Sequence, residues 1–175
     1  MRTRQILWVL LKTATFTALA PFVVGLYFPS YVHQAFTPIG NLQIGPVWQP
    51  AMAAPIMLCL GAGIYLWCAW DFAVKGMGTP APIDAPKKLI VNGLYRFVRN
   101  PMYLGVSCLI ISQAMRWASL PILIYLVFVA NCFHLFIVFY EEPHLRRVFG
   151  DQYEDYRRHV PRWIPRLTPY RPPAT

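Results

Sequence analysis

Charge is what this chain lacks. Only 13% of its 175 residues are Asp, Glu, Lys or Arg, against the ~25% usual in soluble domains. None of the four occurs from Thr13 to Trp70, and Arg116 alone interrupts the stretch from Asn100 to Tyr140. With 57% hydrophobic residues, disorder is excluded, because disordered chains combine low hydrophobicity with high net charge. A water-soluble fold is disfavoured too, since a chain of this length encloses too small a core to hide so much apolar surface. Cysteine is also sparse. Cys59, Cys68, Cys108 and Cys132 lie in apolar runs without CxxC spacing, so neither a disulfide framework nor a zinc site is expected. They read as small packing residues. The four histidines, His33, His134, His144 and His159, are scattered, and no metal is expected. There is no internal repeat and no dinucleotide fingerprint.

What is present is a set of long apolar runs. A bilayer core of ~30 Å needs about 20 apolar residues in helical form. The expected spans are Ile6 to Phe28, Pro50 to Trp70, the shorter Pro101 to Met115, and Ala118 to Tyr140. The last two are separated only by Arg116 and Trp117 and read as a helical hairpin. The fold class is therefore an all-α integral membrane protein of about four transmembrane helices, with cytoplasmic amphipathic helices after them. Residues 1–70 form a two-span scaffold. Residues 71–175 hold a loop, the hairpin and the C-terminal helices, all in one integrated membrane domain.

Positive charge sets orientation. Arg2, Arg4 and Lys12 precede the first span. Lys75, Lys87, Lys88, Arg96 and Arg99 lie between the second and third, and seven arginines against five acids follow Tyr140. Four spans put every basic segment on one side, with both termini in the cytoplasm. The net charge of +9 is then a topology signal, with attraction to anionic headgroups as a second use. Nucleic acid is excluded as a partner, because the basic residues flank apolar spans and form no nucleic-acid motif. Ala18-Leu19-Ala20 resembles a signal-peptidase site, but Lys12 interrupts the apolar run and Pro21 follows directly. A retained anchor is the expectation.

Chemistry is expected where the hairpin opens. Tyr95-Arg96-Phe97-Val98-Arg99-Asn100-Pro101-Met102-Tyr103 leads into it and Glu141-Glu142 leaves it, so two arginines, two tyrosines, an asparagine and two carboxylates meet at one mouth. Before it, Gly76-Met77-Gly78-Thr79-Pro80-Ala81-Pro82 is too rich in Gly and Pro to be helical, and Leu89-Ile90-Val91 is expected to be extended. After it, Pro143 is expected to start a new helix that Gly150 ends. Leu145, Val148 and Phe149 share a face of that helix. Asp151 and Glu154 resemble a capping box for the next, in which Tyr153, Tyr156 and Val160 give an amphipathic face suited to the membrane surface. Glu154 and Arg158 are spaced as a helical ion pair. His134, inside a span, reads as a hydrogen bond between helices.

This ordered set resembles the isoprenylcysteine carboxyl methyltransferase family, which includes related bacterial phospholipid methyltransferases. The likeness rests on Gly93-Leu94-Tyr95-Arg96-Phe97-Val98-Arg99-Asn100-Pro101-Met102-Tyr103-Leu104-Gly105, the hairpin, and Glu141-Glu142. It extends to Gly78-Thr79-Pro80 upstream and to Leu145, Phe149-Gly150-Asp151, Tyr153, Tyr156 and Val160-Pro161-Arg162 downstream. The family's Arg-His-Pro-x-Tyr-x-Gly reads Arg99-Asn100-Pro101-Met102-Tyr103-Leu104-Gly105 here, with Asn in place of His. The arginine that eukaryotic prenylcysteine enzymes place four residues before the Glu pair is Ile137.

The resemblance implies S-adenosylmethionine as cofactor, bound in a cytoplasm-facing pocket, and an amphiphilic acceptor: an isoprenylcysteine-like carboxylate or a lipid headgroup. The cofactor-binding residues it points to are Leu89, Ile90, Val91, Tyr95, Asn100, Pro101, Met102, Tyr103 and Glu141. Glu141 suits the ammonium group, Asn100 and the Leu89–Val91 amides the carboxylate, and Tyr95 and Tyr103 the sulfonium. Arg99, Glu142 and His144 are the catalytic candidates, with Glu142 or His144 as base for an amine or thiol acceptor. A bacterial inner membrane is the expected location. Two other readings stay open at this point: a nicotinamide-dependent enzyme like the sterol reductases, and a non-enzymatic membrane subunit.

Overall fold

The computed structural model describes residues 15, 21–37, 52–72, 74 and 89–172. The described residues are mainly helical. A π turn, Val23–Tyr27, runs into α1 (Phe28–Phe36). Then come α2 (Ala53–Asp71), a short 3-10 turn (Gly93–Arg96) and α3 (Pro101–Trp117). α4 (Leu120–Phe136) continues through a second π turn, Ile137–Glu141, into α5 (Glu142–Phe149). α6 (Asp151–His159) follows.

Two of these are long and apolar enough to cross a membrane: α2, and the unbroken 30-residue rod Leu120–Phe149. Only 22% and 17% of their apolar stretches are buried within the protein. A core helix of a soluble protein would be mostly covered. Here Ile56, Trp67, Ile124, Val127, Phe128 and Phe139 point outward, as a lipid-facing surface requires. α3, 17 residues long, packs against both. The first expected span lies mostly outside the described residues, as do the proposed signal-like site and the Gly76–Pro82 loop. What is described of that first span corrects its end. The helix continues past Phe28 to Phe36, because Ser30–Phe36 is uncharged and holds no breaker after Pro29.

The α2–α3 contact is made by glycines. A Cβ on Gly61 would lie 2.7 Å from the Gly105 carbonyl oxygen and 2.9 Å from the Leu109 nitrogen. One on Gly105 would lie 3.0 Å from the Gly61 oxygen. Two backbones in this kind of contact leave no room for a methyl, the usual packing of helices in lipid. Gly61→Ala is expected to lower stability by ~1–3 kcal/mol, the usual cost of overpacking. Gly63, two residues on with nothing within 4 Å, is the control. Gly63→Ala is expected to be neutral or stabilising, because alanine is the better helix former. Equal unfolding temperatures for the two variants in detergent would contradict this packing. Around the crossing, Tyr65, Ala69, Val106, Ile110, Ala114, Ile122 and Val129 form the membrane core. The first π turn joins it through Gly25 against Leu109 and the Tyr125 hydroxyl donating to the Val24 carbonyl at 3.1 Å.

The hairpin turns in two residues. Ala118 takes a left-handed conformation (φ 46°). The Ala118 N–H reaches the Met115 carbonyl and the Ser119 N–H the Ala114 carbonyl, the bond pair of a Schellman motif. Pro121 then opens α4.

The expectation that Pro143 starts a separate helix is corrected. Backbone angles stay right-handed through Phe136, Glu141 and Glu142. A proline inside an α-helix presses its ring on the carbonyl four residues back, here that of Phe139. The wider π turn directly before Pro143 accommodates that ring, and the Glu142 N–H bonds back to Ile137. The first π turn stands in the same relation to Pro29.

Two smaller cores lie beyond the spans and at the C-terminal end of α2. One gathers Tyr153, Tyr156, Val160 and Tyr170, with Leu89, Val91, Leu145 and Phe149 packed on it. The other joins Cys68, Ile90 and Tyr95 to Phe72 and Met102. The first corrects the membrane-surface reading of Tyr153, Tyr156 and Val160, which are 2%, 4% and 1% exposed. Their apolar face meets the returning C-terminal segment instead of lipid. Val148 departs from its expected neighbours and stays exposed, while Leu145 and Phe149 pack inward. The capping box is absent. Gly150 (φ 50°) precedes α6, and its carbonyl accepts the Tyr153 and Glu154 N–H groups. Glu154 pairs with Arg157 and Arg146 rather than Arg158, because Arg146 on α5 comes within 3.0 Å across the Gly150 corner.

Candidate functional site

The mouth of the hairpin is built by three segments. Asn92–Asn100 leads in, the Ile137–Glu141 turn and α5 lead out, and residues 161–172 come back across both. Gly93 sets the start. It holds φ 54°, and a Cβ there would sit 2.5 Å from Asp71 Oδ2 and 2.9 Å from Trp67 Nε1. Only glycine lets the lead-in pass this close to the C-terminal end of α2.

The returning tail pairs antiparallel to the lead-in. The Arg99 N–H donates to the Pro161 carbonyl, the Arg166 N–H to Phe97 and the Tyr170 N–H to Arg96, each at 2.9 Å. Arg96 Nε donates to the Tyr170 carbonyl at 2.8 Å. The Tyr156 hydroxyl donates to the Tyr95 carbonyl at 2.7 Å, and that of Tyr170 to Asp155. Burial pushes the Tyr95 and Tyr156 phenols upward. Burial, then the bond to Asp155, pushes Tyr170 up to about 12. All three stay protonated donors at neutral pH.

Inside this frame the two adjacent glutamates face different partners. Glu142, buried, accepts from Arg99 Nη1 at 2.9 Å, Arg162 Nε at 2.7 Å and Arg162 Nη2 at 3.0 Å. Arg99 also reaches the Tyr153 hydroxyl at 3.4 Å, and its buried Nε has no hydrogen-bond partner among the described residues. Glu141 accepts from the Tyr103 hydroxyl at 2.8 Å, and the Tyr103 ring lies against Phe133. Asn100, buried at the start of α3, donates from Nδ2 to the Arg162 carbonyl at 3.2 Å.

The structure thus brings Arg99, Asn100, Tyr103, Glu141 and Glu142 together. Arg96 and Tyr95 are turned elsewhere: Arg96 to the tail, Tyr95 into the small core with Cys68 and Ile90. Leu89 and Val91 pack on the tyrosine core, and Ile90 is buried. Pro101 and Met102 form the first turn of α3, Pro101 fully buried and Met102 against both membrane-side cores. His144, half-buried, stacks on Tyr140. Ile137 is 1% exposed. His134 does form a hydrogen bond, but with the tail rather than with another helix: Trp163 Nε1 donates to its Nδ1 at 3.2 Å.

Arg162 is the residue that sequence reasoning left out of the site. It supplies two of the three bonds to Glu142 from 20 residues away. Its place in the Val160-Pro161-Arg162 run was the available signal. Among the described residues no group of three or more metal-ligating side chains occurs.

Glu141, with one oxygen held by the Tyr103 hydroxyl, is followed in the chain by Glu142, which holds the guanidinium groups of Arg99 and Arg162. A carboxylate oriented by a phenol is a suitable acceptor for an ammonium group.

Comparison with known proteins gives this cluster a family. The Schizosaccharomyces pombe protein-S-isoprenylcysteine O-methyltransferase is 32% identical over 77 residues, which is 44% of this chain and 33% of that relative. The match spans about a third of the relative's length. No solved structure matches the chain. A family model described as phospholipid methyltransferase matches residues 50–152, which takes in α2, the lead-in, the whole hairpin and both glutamates. The chain belongs to the phospholipid methyltransferase family.

Proposed function

We propose that this chain is a membrane-embedded methyltransferase that uses S-adenosylmethionine and acts on an amphiphilic acceptor, either a lipid headgroup or an isoprenylcysteine-like carboxylate. The observation that carries this reading is the split of the glutamate pair: Glu142 is spent on two arginines, while Glu141 keeps one oxygen beyond its bond to Tyr103. The residues suit an amino-acid moiety, with Glu141 for the ammonium and Asn100 with the Leu89–Val91 amides for the carboxylate. S-adenosylmethionine, when bound, supplies a methyl carbon already activated by its sulfonium leaving group.

The residues then have to hold, orient and exclude water. Tyr103 fixes the Glu141 rotamer. Glu142 positions Arg99 and, through Arg162, keeps the tail closed over the site. Ile90, Tyr95 and Met102 pack together on the α2 side, while Leu89 and Val91 pack on the tyrosine core beside α6. A carboxylate acceptor needs no base. For an amine or thiol acceptor, His144 is the side chain we assign to take the proton, since Glu142 is occupied by cations. Ile137 is apolar and buried, so an anionic acceptor would need its counter-charge from elsewhere. The distribution of basic residues puts the site and both termini in the cytoplasm, and a bacterial inner membrane fits that layout.

The test incubates the purified protein in detergent with methyl-labelled S-adenosylmethionine and a total membrane lipid extract. Label in a lipid-soluble product is the expected outcome, and its class (ester, amine or thioether) identifies the acceptor. Calorimetry with S-adenosylhomocysteine is expected to show binding. Binding of a nicotinamide nucleotide instead would replace this reading by a reductase, and binding of neither would leave a non-enzymatic subunit.

A further inference from the structure

The tail after α6 carries an exposed apolar tip. Ile164 is 79% exposed and Leu167 98%, and Pro165 beside them is exposed too. The neighbouring charges are engaged by the protein: Arg162 by the buried Glu142, and Arg166 at the surface by the His159 carbonyl and Thr168. The backbone bonds from Arg99, Arg166 and Tyr170 hold both sides of the tip to the lead-in, so the exposure belongs to a built loop.

Its depth follows from Trp163. That indole donates to His134, a residue of the rod Leu120–Phe149. The hairpin tip at Ala118–Ser119 marks the far end of the rod. About 20 residues cross the hydrocarbon, so the near boundary falls close to Phe139. At 1.5 Å per residue, His134 lies about 8 Å inside that boundary. A side chain bonded to His134 must itself reach below the headgroups, and Ile164 follows it directly in the chain.

The geometry points to residues 163–167 as a wedge that inserts into the leaflet on the active-site side. Ile164 and Leu167 enter the acyl region, Trp163 bridges to the span, and Arg166 stays at headgroup level. This inference rests on the rod crossing the bilayer and is independent of the reaction catalysed. It corrects which part of the C-terminal region meets lipid: the tip of the tail, in place of the α6 face. An apolar tip flanked by a tryptophan and arginines is the pattern of surface-inserted segments, and its occupant is the lipid of that leaflet.

The test places the photoreactive residue benzoylphenylalanine at position 164 or 167 of the full chain, reconstituted in nanodiscs of phosphatidylethanolamine and phosphatidylglycerol. Both sites are solvent-exposed in the protein, so the label costs little packing. Ile124, on the outer face of α4, serves as lipid-facing control and Gln152, exposed on α6, as water-facing control. Irradiation is expected to give phospholipid mass shifts at 164 and 167 as at 124, and none at 152. Lipid adducts at 124 without any at 164 or 167 would overturn the wedge. Protein–protein adducts at 164 and 167 would overturn it equally, making the tip an interface between copies. Methyl-transfer activity is not read, so a failure of the proposed function leaves this result standing.

Discussion

Replacing Glu142 with alanine is expected to destabilise the protein by ~3–5 kcal/mol, the range for breaking a buried ion pair by removing one partner. The size follows from what is left behind. The Glu142 side chain is 6% exposed and that of Arg99 10%. Without the carboxylate, Arg99 stays buried with a positive charge and only a long contact to Tyr153, and Arg162 loses both of its bonds to α5. The tail then loses its strongest link to the rod. Glu154→Ala sets the scale. Glu154 also pairs with two arginines, Arg146 and Arg157, but at side-chain exposures of 30–43%, where solvent screens the pairs and its loss is expected to change stability little. Denaturant or thermal unfolding in detergent, followed by circular dichroism, compares the two. Equal losses for Glu142→Ala and Glu154→Ala would refute the account of Glu142 as the buried hub.

Glu141→Gln is expected to do the opposite: spare the fold and weaken the donor site. Among the described hydrogen bonds Glu141 holds the Tyr103 hydroxyl alone, and glutamine keeps an oxygen for it. What disappears is the negative charge that the proposed donor site offers to an ammonium group. A hydrogen bond to a charged group is worth ~1.5–3 kcal/mol, so S-adenosylhomocysteine affinity is expected to fall by roughly 10- to 100-fold. Tyr103→Phe is expected to give a smaller loss, because the charge remains and only its orientation is freed. Calorimetry reads affinity and the unfolding curve reads stability in the same preparation. Unchanged affinity in Glu141→Gln would place the ammonium elsewhere, and a stability loss as large as that of Glu142→Ala would make Glu141 structural.

The parts of this fold that were legible in the sequence are those written by solvent preference. α2 lies within a few residues of the expected Pro50–Trp70, and the hairpin turns at Ala118–Ser119, two residues beyond the expected gap at Arg116 and Trp117. The meeting of Arg99, Asn100, Tyr103, Glu141 and Glu142 was legible for the same reason, because a hairpin returns both its ends to one side. What was not legible depends on partners far apart in the chain. An amphipathic face made of Tyr153, Tyr156 and Val160 looks the same whether it meets lipid or protein. Only the returning Tyr170 decides it. The Val160-Pro161-Arg162 run singles Arg162 out, but its partner Glu142 lies 20 residues away, and the run does not say that the side chain crosses to it. The continuity through Pro143 was hidden because the relief comes from a change of helix pitch upstream, which no residue type announces.

That change of pitch has a consequence for how the chain tolerates length changes. A π turn holds one residue more than the α turn it replaces, so Ile137–Glu141 stores a one-residue surplus in the middle of the long rod. Deleting Phe139, which points outward and is 75% exposed, would shorten the rod there while leaving the hairpin arm and the arginine-bound segment each in its own register. The same deletion two turns earlier would rotate the hairpin arm against the segment after it by about 100° and turn the two carboxylates away from their partners.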